Sequence, residues 1–216
     1  MIKKIAILST LVSTLLYGEI KDRGIFIGVD MARANGEVFY TNKGAIPTSP
    51  YSTKQEQNIP SLKLGYQYYF TRIYGRINET KTYSDNVKDY FEVKTRLVEL
   101  NVDYIPMLYQ DDKKAVAIRG IIGAGVGINS SSLLSYHYFM DAPVSIMNTK
   151  TQRSMEYGYN LGLIAEFNVG INFEIGYRFR SGVLDTFADV EEGTASFVTA
   201  FELETKEVYL GLNYLF

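Results

Sequence analysis

Eight segments of the chain alternate apolar and polar residues with the period of two that belongs to a β-strand, and the connections between them run long, short, long, short, long, short, long. That rhythm restricts the fold more than any single motif. Segments joined by tight turns pair antiparallel, so all the tight turns collect at one end of the structure and all the long connections at the other. The first segment, Gly24 to Arg33, sets Ile25, Ile27, Val29 and Met31 against Phe26, Gly28, Asp30 and Ala32. The second, Ser61 to Phe70, sets Leu62, Leu64, Tyr66, Tyr68 and Phe70 against Lys63, Gly65, Gln67 and Tyr69. A tight turn is expected at Thr71-Arg72, because Ile73, Gly75 and Ile77 then begin a new row opposite Arg72, Tyr74, Arg76 and Asn78.

The fourth segment reads as one strand from Tyr90 to Leu108, with Val98, Leu100, Val102 and Tyr104 against Glu99, Asn101 and Asp103. Lys94 and Arg96 share the parity of its apolar row, so they stand above the apolar zone or are separated from it by a bulge. After a reversal over Tyr109 to Lys114, the fifth segment sets Val116, Ile118, Ile122, Ala124, Val126 and Ile128 against Ala117, Arg119, Ile121, Gly123, Gly125 and Gly127. The sixth, about Glu156 to Phe167, and the seventh, from Ile171, meet at the turn Asn168-Val169-Gly170. The eighth, Thr205 to Phe216, carries Val208, Leu210, Leu212, Tyr214 and Phe216 on one face. The long connections, about 34–58, 78–89, 130–152 and 181–204, are polar and aperiodic and are expected to be exposed loops, with Ala195 to Leu203 a candidate extension of the last strand.

One domain suffices for this organisation. The N-terminus reads as an export signal over residues 1–18: Met1-Ile-Lys-Lys is basic, Ile5 to Leu16 is apolar, and the expected cut follows Gly18, leaving a barrel domain over 19–216. The apolar run is too short to span a bilayer, and no later helical span exists, so a membrane location requires a closed barrel. The 18 tyrosines and 12 phenylalanines, with no Trp, favour strands and membrane interfaces. Absence of cysteine removes disulfides, thiolate metal sites and thiol nucleophiles. The net charge of −2 becomes more negative once Lys3 and Lys4 leave with the signal, so no nucleic-acid partner is expected.

An eight-stranded secreted barrel of the lipocalin type has an apolar interior, and alternation alone does not say which face is inside. The polar rows decide it: they mix glycine with single charges of both signs, which suits a narrow interior better than a solvated surface dense in Lys and Glu. Gly28, Gly65, Gly162, Gly176 and Gly211 fall near mid-height on that parity. Arg76, Arg119 and Arg178 lie at similar heights, against Glu99, Asp103 and Glu174, and form a candidate charge cluster in the lumen. Two readings of the glycines stand together: room for large ionic side chains, and strand bending with close approach.

The whole pattern resembles the OmpA/OmpX-type eight-stranded outer-membrane barrels, and the Gly123-Ala124-Gly125-Val126-Gly127 stretch is reminiscent of their glycine-alternating strands. The terminal row Leu210, Leu212, Tyr214, Phe216 resembles the closing strand that the barrel-assembly machinery reads. The resemblance implies an all-β, antiparallel up-and-down transmembrane barrel in the bacterial outer membrane. It also implies a monomer in outer-membrane lipid, with both termini periplasmic and four external loops.

No enzyme is expected. The only histidine, His137, stands between two tyrosines without the partners of a lipid hydrolase, and Asp111-Asp112 and Glu191-Glu192 read as solvated charge. Neither a metal nor another cofactor is expected. Two functions remain: a rigid platform whose loops bind an external ligand, with Tyr51, Tyr83, Tyr136, Tyr138, Phe139 and Phe187 as contact candidates, or a narrow porin-like channel for small solutes.

Overall fold

Every regular element is a β-strand among the residues that the computed structural model describes, 20–42, 51–83, 89–139, 142–146, 152–188 and 197–216. The strands are β1 (Arg23–Asn42), β2 (Tyr51–Tyr68), β3 (Thr71–Tyr83), β4 (Asp89–Tyr104), β5 (Met107–Gln110), β6 (Val116–Phe139), β7 (Ala142–Ile146), β8 (Gln152–Phe167), β9 (Ile171–Ala188) and β10 (Phe197–Leu215). Eight of them form the wall in the order β4-β3-β2-β1-β10-β9-β8-β6, each antiparallel to its neighbours, and pairing of β4 with β6 closes it. β5 continues β4 on the same edge of β6, and β7 is added to the far end of β6. First and last strands meet, with Phe26 opposite Leu215 and the Phe216 N–H donating to the Ile25 carbonyl at 2.9 Å. The expected signal segment lies outside the described residues.

Side chains sort by parity. Val102, Ile122, Leu163, Ile175 and Leu212 face outward, and their neighbours Asp103, Ile121 and the backbone of Gly162, Gly176 and Gly211 face the lumen. Leu64 is 61% exposed while Asp103 and Arg119 are 0%, the inverse of a water-soluble barrel. Tyr66, Tyr68, Phe70, Tyr104, Phe173, Tyr214 and Phe216 ring the exterior near the tight-turn end. Tyr157, Tyr159 and Tyr177 stand toward the other end, so aromatics flank the aliphatic band on both sides.

Four expectations change. The first tight turn is Tyr69-Phe70, and Thr71 and Arg72 already belong to β3. Tyr69 takes φ 48, as a two-residue hairpin loop requires at its first position, and tyrosine is not a residue that advertises that conformation. Its side chain is therefore exposed and does not fill the lumen. The fourth segment is two strands, because Ile105 dips fully into the interior and Pro106 has no N–H for the ladder. Much of the expected loops is strand: β1 runs to Asn42, β2 starts at Tyr51 and β6 runs to Phe139, whereas the candidate extension of the last strand is present as expected from Phe197 to Leu203. Beyond the apolar band a backbone ladder needs no apolar row to continue, so the period of two disappears from the composition while the strand continues. Ser131, expected outside, faces in and shares a 2.9 Å hydrogen bond with Thr95.

The wall is unevenly zipped. β2 and β3 pair only from the turn up to Ser61 opposite Asn78, although β2 continues along β1 to Tyr51 and β3 along β4 to Tyr83. Pro60 has no N–H to carry the β2–β3 ladder further. Above it the Lys81 N–H donates to the Gln57 side-chain Oε1 at 3.3 Å in place of a backbone partner.

Candidate functional site

The lumen is built from the polar rows of all eight wall strands, and its ions fall into three levels. At the tight-turn end, Arg119 on β6 donates to Glu166 on β8 at 2.6 Å, to Asp22 at 2.5 Å and to the Tyr69 carbonyl at 3.0 Å. Gln67 holds the other Glu166 oxygen at 2.9 Å, and Ile105, Ile121 and Ile164 pack as an apolar layer in the interior. At mid-height Arg72 on β3 donates to Asp103 at 2.6 Å and to Glu174 on the opposite wall. Glu174 also accepts from Lys63 at 2.7 Å and from Asn213 at 2.6 Å.

Toward the long-hairpin end, Arg76 donates to Glu99 at 3.1 Å, to Glu207 at 3.4 Å and to the Ser61 hydroxyl at 2.9 Å. Arg178 donates to Glu207 at 2.9 Å and to Asp30 at 3.3 Å, and Arg180 to Glu99 at 2.9 Å. Glu156, the highest of these acids, accepts from Asn129 at 2.5 Å and lies 3.7 Å from Arg180.

Rings occupy the space between the ions. The Arg178 guanidinium lies 4.2 Å from the Tyr209 ring centre, and Arg72 lies 5.5 Å from both Phe26 and Tyr74. Glycine leaves the room. A Cβ on Gly176 would stand 2.6 Å from the Tyr209 hydroxyl, and one on Gly211 3.2 Å from the Lys63 Nζ. Burying charges in this way is costly unless each is paired, and here opposite signs interleave at every level.

Of the six residues expected to cluster, Arg76, Glu99, Asp103, Glu174 and Arg178 belong to the middle and upper levels. Arg119 does not. It stands apart at the tight-turn end, because its side chain reaches down toward Glu166 and Asp22. Asp30, Lys63, Arg72, Glu156, Glu166, Arg180 and Glu207 complete the network and were not singled out. Inward parity was the signal that could have found them: Arg72 shares it with Tyr74 and Arg76, and Arg180 with Glu174 and Arg178.

The six aromatic contact candidates do not lie in loops. Tyr51 opens β2, Tyr83 closes β3, Tyr136, Tyr138 and Phe139 stand on the extension of β6, and Phe187 on that of β9; their side chains lie outside the described residues. His137 is in β6 opposite Asp89 and Val144. Among the described residues no group of three or more His, Cys, Asp or Glu side chains has the geometry of a metal site.

On the exterior, Glu79 accepts from Lys94 at 2.9 Å and from Arg96 at 3.3 Å. Register is unbroken from Ile77 opposite Val98 to Lys81 opposite Lys94, so these ions stand above the apolar band with no bulge between. The hydrogen bond from Lys94, then that from Arg96, holds the Glu79 carboxyl below the usual carboxylate range.

No protein-family model and no curated protein matches the chain. Among solved structures, OprG from Pseudomonas aeruginosa is similar over 93% of this chain and 100% of its own, with a TM-score of 0.53 at 12% identity. Neisserial surface protein A is similar over 91% and 100% with a TM-score of 0.47 at 14% identity. The Ail protein of Yersinia pestis is similar over 88% and 99% with a TM-score of 0.39 at 13% identity. The chain thus has the closed, all-antiparallel eight-stranded β-barrel fold of outer-membrane proteins.

Proposed function

We propose that this chain is an integral protein of the bacterial outer membrane whose barrel is a rigid, side-chain-filled platform for its long hairpins. The observation that carries this reading is the pairing of an apolar exterior with a lumen filled at each level by buried ion pairs. A wall of that polarity is stable in lipid, and an interior of that kind supports position, not passage. Export through the N-terminal segment, periplasmic termini, a monomeric state and recognition of the Leu210, Leu212, Tyr214, Phe216 row by the assembly machinery belong to the same proposal. So does a non-enzymatic role: the buried Ser61 hydroxyl is held between Asp30, to which it donates at 2.7 Å, and Arg76, from which it accepts at 2.9 Å. The ligand would be held by the hairpin extensions that carry Tyr51, Tyr83, Tyr136, Tyr138, Phe139 and Phe187.

A narrow channel is the second reading. What favours it is a set of buried polar atoms with no protein partner along the lumen, including the Asn78 amide, the Asn101 Nδ2 and the Asn129 Oδ1, all of which a hydrated path would serve. The two readings separate in a planar bilayer holding refolded, purified monomer. No steady current is expected from the platform, and a persistent ion-selective conductance would establish the channel in its place.

A further inference from the structure

The lumen holds one more carboxylate than it pairs. Among the described residues six buried cations face seven buried carboxylates, and six of the seven accept a hydrogen bond from a lysine or an arginine. Glu156 is the exception. The Arg180 Nε lies 3.7 Å from it, beyond hydrogen-bond reach, while the two outer nitrogens of that guanidinium turn to Glu99 at 2.9 Å and to Glu207 at 3.4 Å. What Glu156 does accept is a neutral hydrogen bond, from the Asn129 Nδ2 at 2.5 Å. A buried carboxylate without a cation of its own is costly, so the balancing charge has to come from outside the chain.

The oxygens beside Glu156 lack donors as well. Asn129, only 3% exposed, stands opposite Ser154 across the β6–β8 pair, and Ser154 precedes Glu156 by two residues on β8, so the three side chains project from one side of the wall. With its Nδ2 on Glu156, Asn129 keeps its Oδ1 at the same spot, and neither that oxygen nor the Ser154 Oγ has a hydrogen-bond partner among the described residues. A proton on Glu156 would serve one of these oxygens. A metal ion serves all of them, because each offers a lone pair. One carboxylate, one amide oxygen and one hydroxyl make an all-oxygen set, which suits a hard cation, and two of the three ligands are neutral. Calcium accepts irregular ligands from separate strands, whereas magnesium demands a near-ideal octahedron. We propose that Glu156, Asn129 and Ser154 hold a calcium ion at the long-hairpin end of the lumen, with water completing its shell. Ser154 is only half-buried, so the ion enters from that end. With a single carboxylate the site is weak, roughly 10⁻⁴–10⁻³ M as in extracellular calcium modules. It needs only the barrel fold and is independent of the platform and channel readings.

The test is urea unfolding of the refolded full chain in neutral maltoside micelles, in calcium chloride, magnesium chloride or sodium chloride at equal ionic strength. Heat-modifiable migration in sodium chloride reports that the barrel has formed. An ion that binds only the folded chain should raise the folding constant of the parent by about 10- to 100-fold at about 10 mM calcium, and by less at the same concentration of magnesium. Glu156→Gln keeps the volume and removes the unpaired charge, so it should fold at least as well as the parent in sodium chloride and lose the calcium response. Asn129→Asp adds a second carboxylate and should show the opposite pattern, folding less well in sodium chloride and gaining more from calcium. An unchanged folding constant for the parent in calcium, a full response surviving in Glu156→Gln, an equal response to magnesium, or a weakened response in Asn129→Asp would overturn the proposal. Stabilisation by Glu156→Gln in a parent that ignores calcium would overturn it in favour of a proton on Glu156.

Discussion

Arg72 on β3 and Glu174 on β9 stand four strands apart whichever way the eight-stranded wall is followed, and their side chains meet. This pair spans the barrel. Glu174 is shared with Lys63 and Asn213, so its loss takes a carboxylate from two buried cations at once and leaves Arg72 with Asp103 and Lys63 with Asp30 at 3.5 Å.

Glu174→Gln is expected to destabilise the folded barrel by about 1.5–3 kcal/mol, the usual worth of a hydrogen bond to a charged group, because Arg72 keeps Asp103 and Lys63 keeps Asp30. Urea titration in detergent micelles measures it. Arg72→Met should cost more, about 3–5 kcal/mol, because it leaves the buried Asp103 with Asn160 but no cation. A near-neutral Arg72→Met would show that packing, not charge, holds this level together.

On the exterior, Leu212→Arg places a charge in the apolar band and should cost about 2–4 kcal/mol in a folding titration into vesicles. Asn58→Arg, exposed just above that band on β2, should be tolerated. Equal costs at the two positions would reject the assignment of the apolar face to lipid.

Glu79 gives the pH dependence. Because Lys94 and then Arg96 hold its carboxyl below the ordinary range, its contribution is present above the pKa of an unfolded glutamate and is lost as pH falls through the folded value. Carboxyl NMR should show Glu79 titrating below free glutamate, and Lys94→Gln should move the midpoint up. An unmoved midpoint would assign the depression to another group.

Phe216 packs edge-on to Tyr214 with ring centres 4.9 Å apart and is 61% exposed. Phe216→Ala should therefore refold in detergent nearly as the parent does, while much less of it reaches the outer membrane in cells. Comparable losses in both assays would mean that the ring acts by packing alone.

The wall was legible in the sequence because one face of each strand had to be apolar for the band's full height, and that imprints a period of two. Strand ends were not, since a ladder in water needs only backbone groups: the hairpins carrying Tyr51 and Tyr136 read as loops for that reason. Inside the barrel, parity set Arg76, Glu99 and Arg178 on inward rows, but height along a strand does not fix where a long side chain ends. Arg119 folds down to Asp22 while Arg72, two residues past its turn, reaches across the full lumen. Partner choice among long ionic side chains is a three-dimensional property with no one-dimensional trace.

The missing rungs between β2 and β3 above Ser61 and Asn78 make that junction the hinge of the wall. Backbone amides on either side of it, including that of Lys81, lack the ladder partner that slows hydrogen–deuterium exchange elsewhere. Exchange should therefore advance from this notch toward the Tyr69 turn, so that under strain the cylinder unzips into a curved sheet with β2 and β3 as its two free margins.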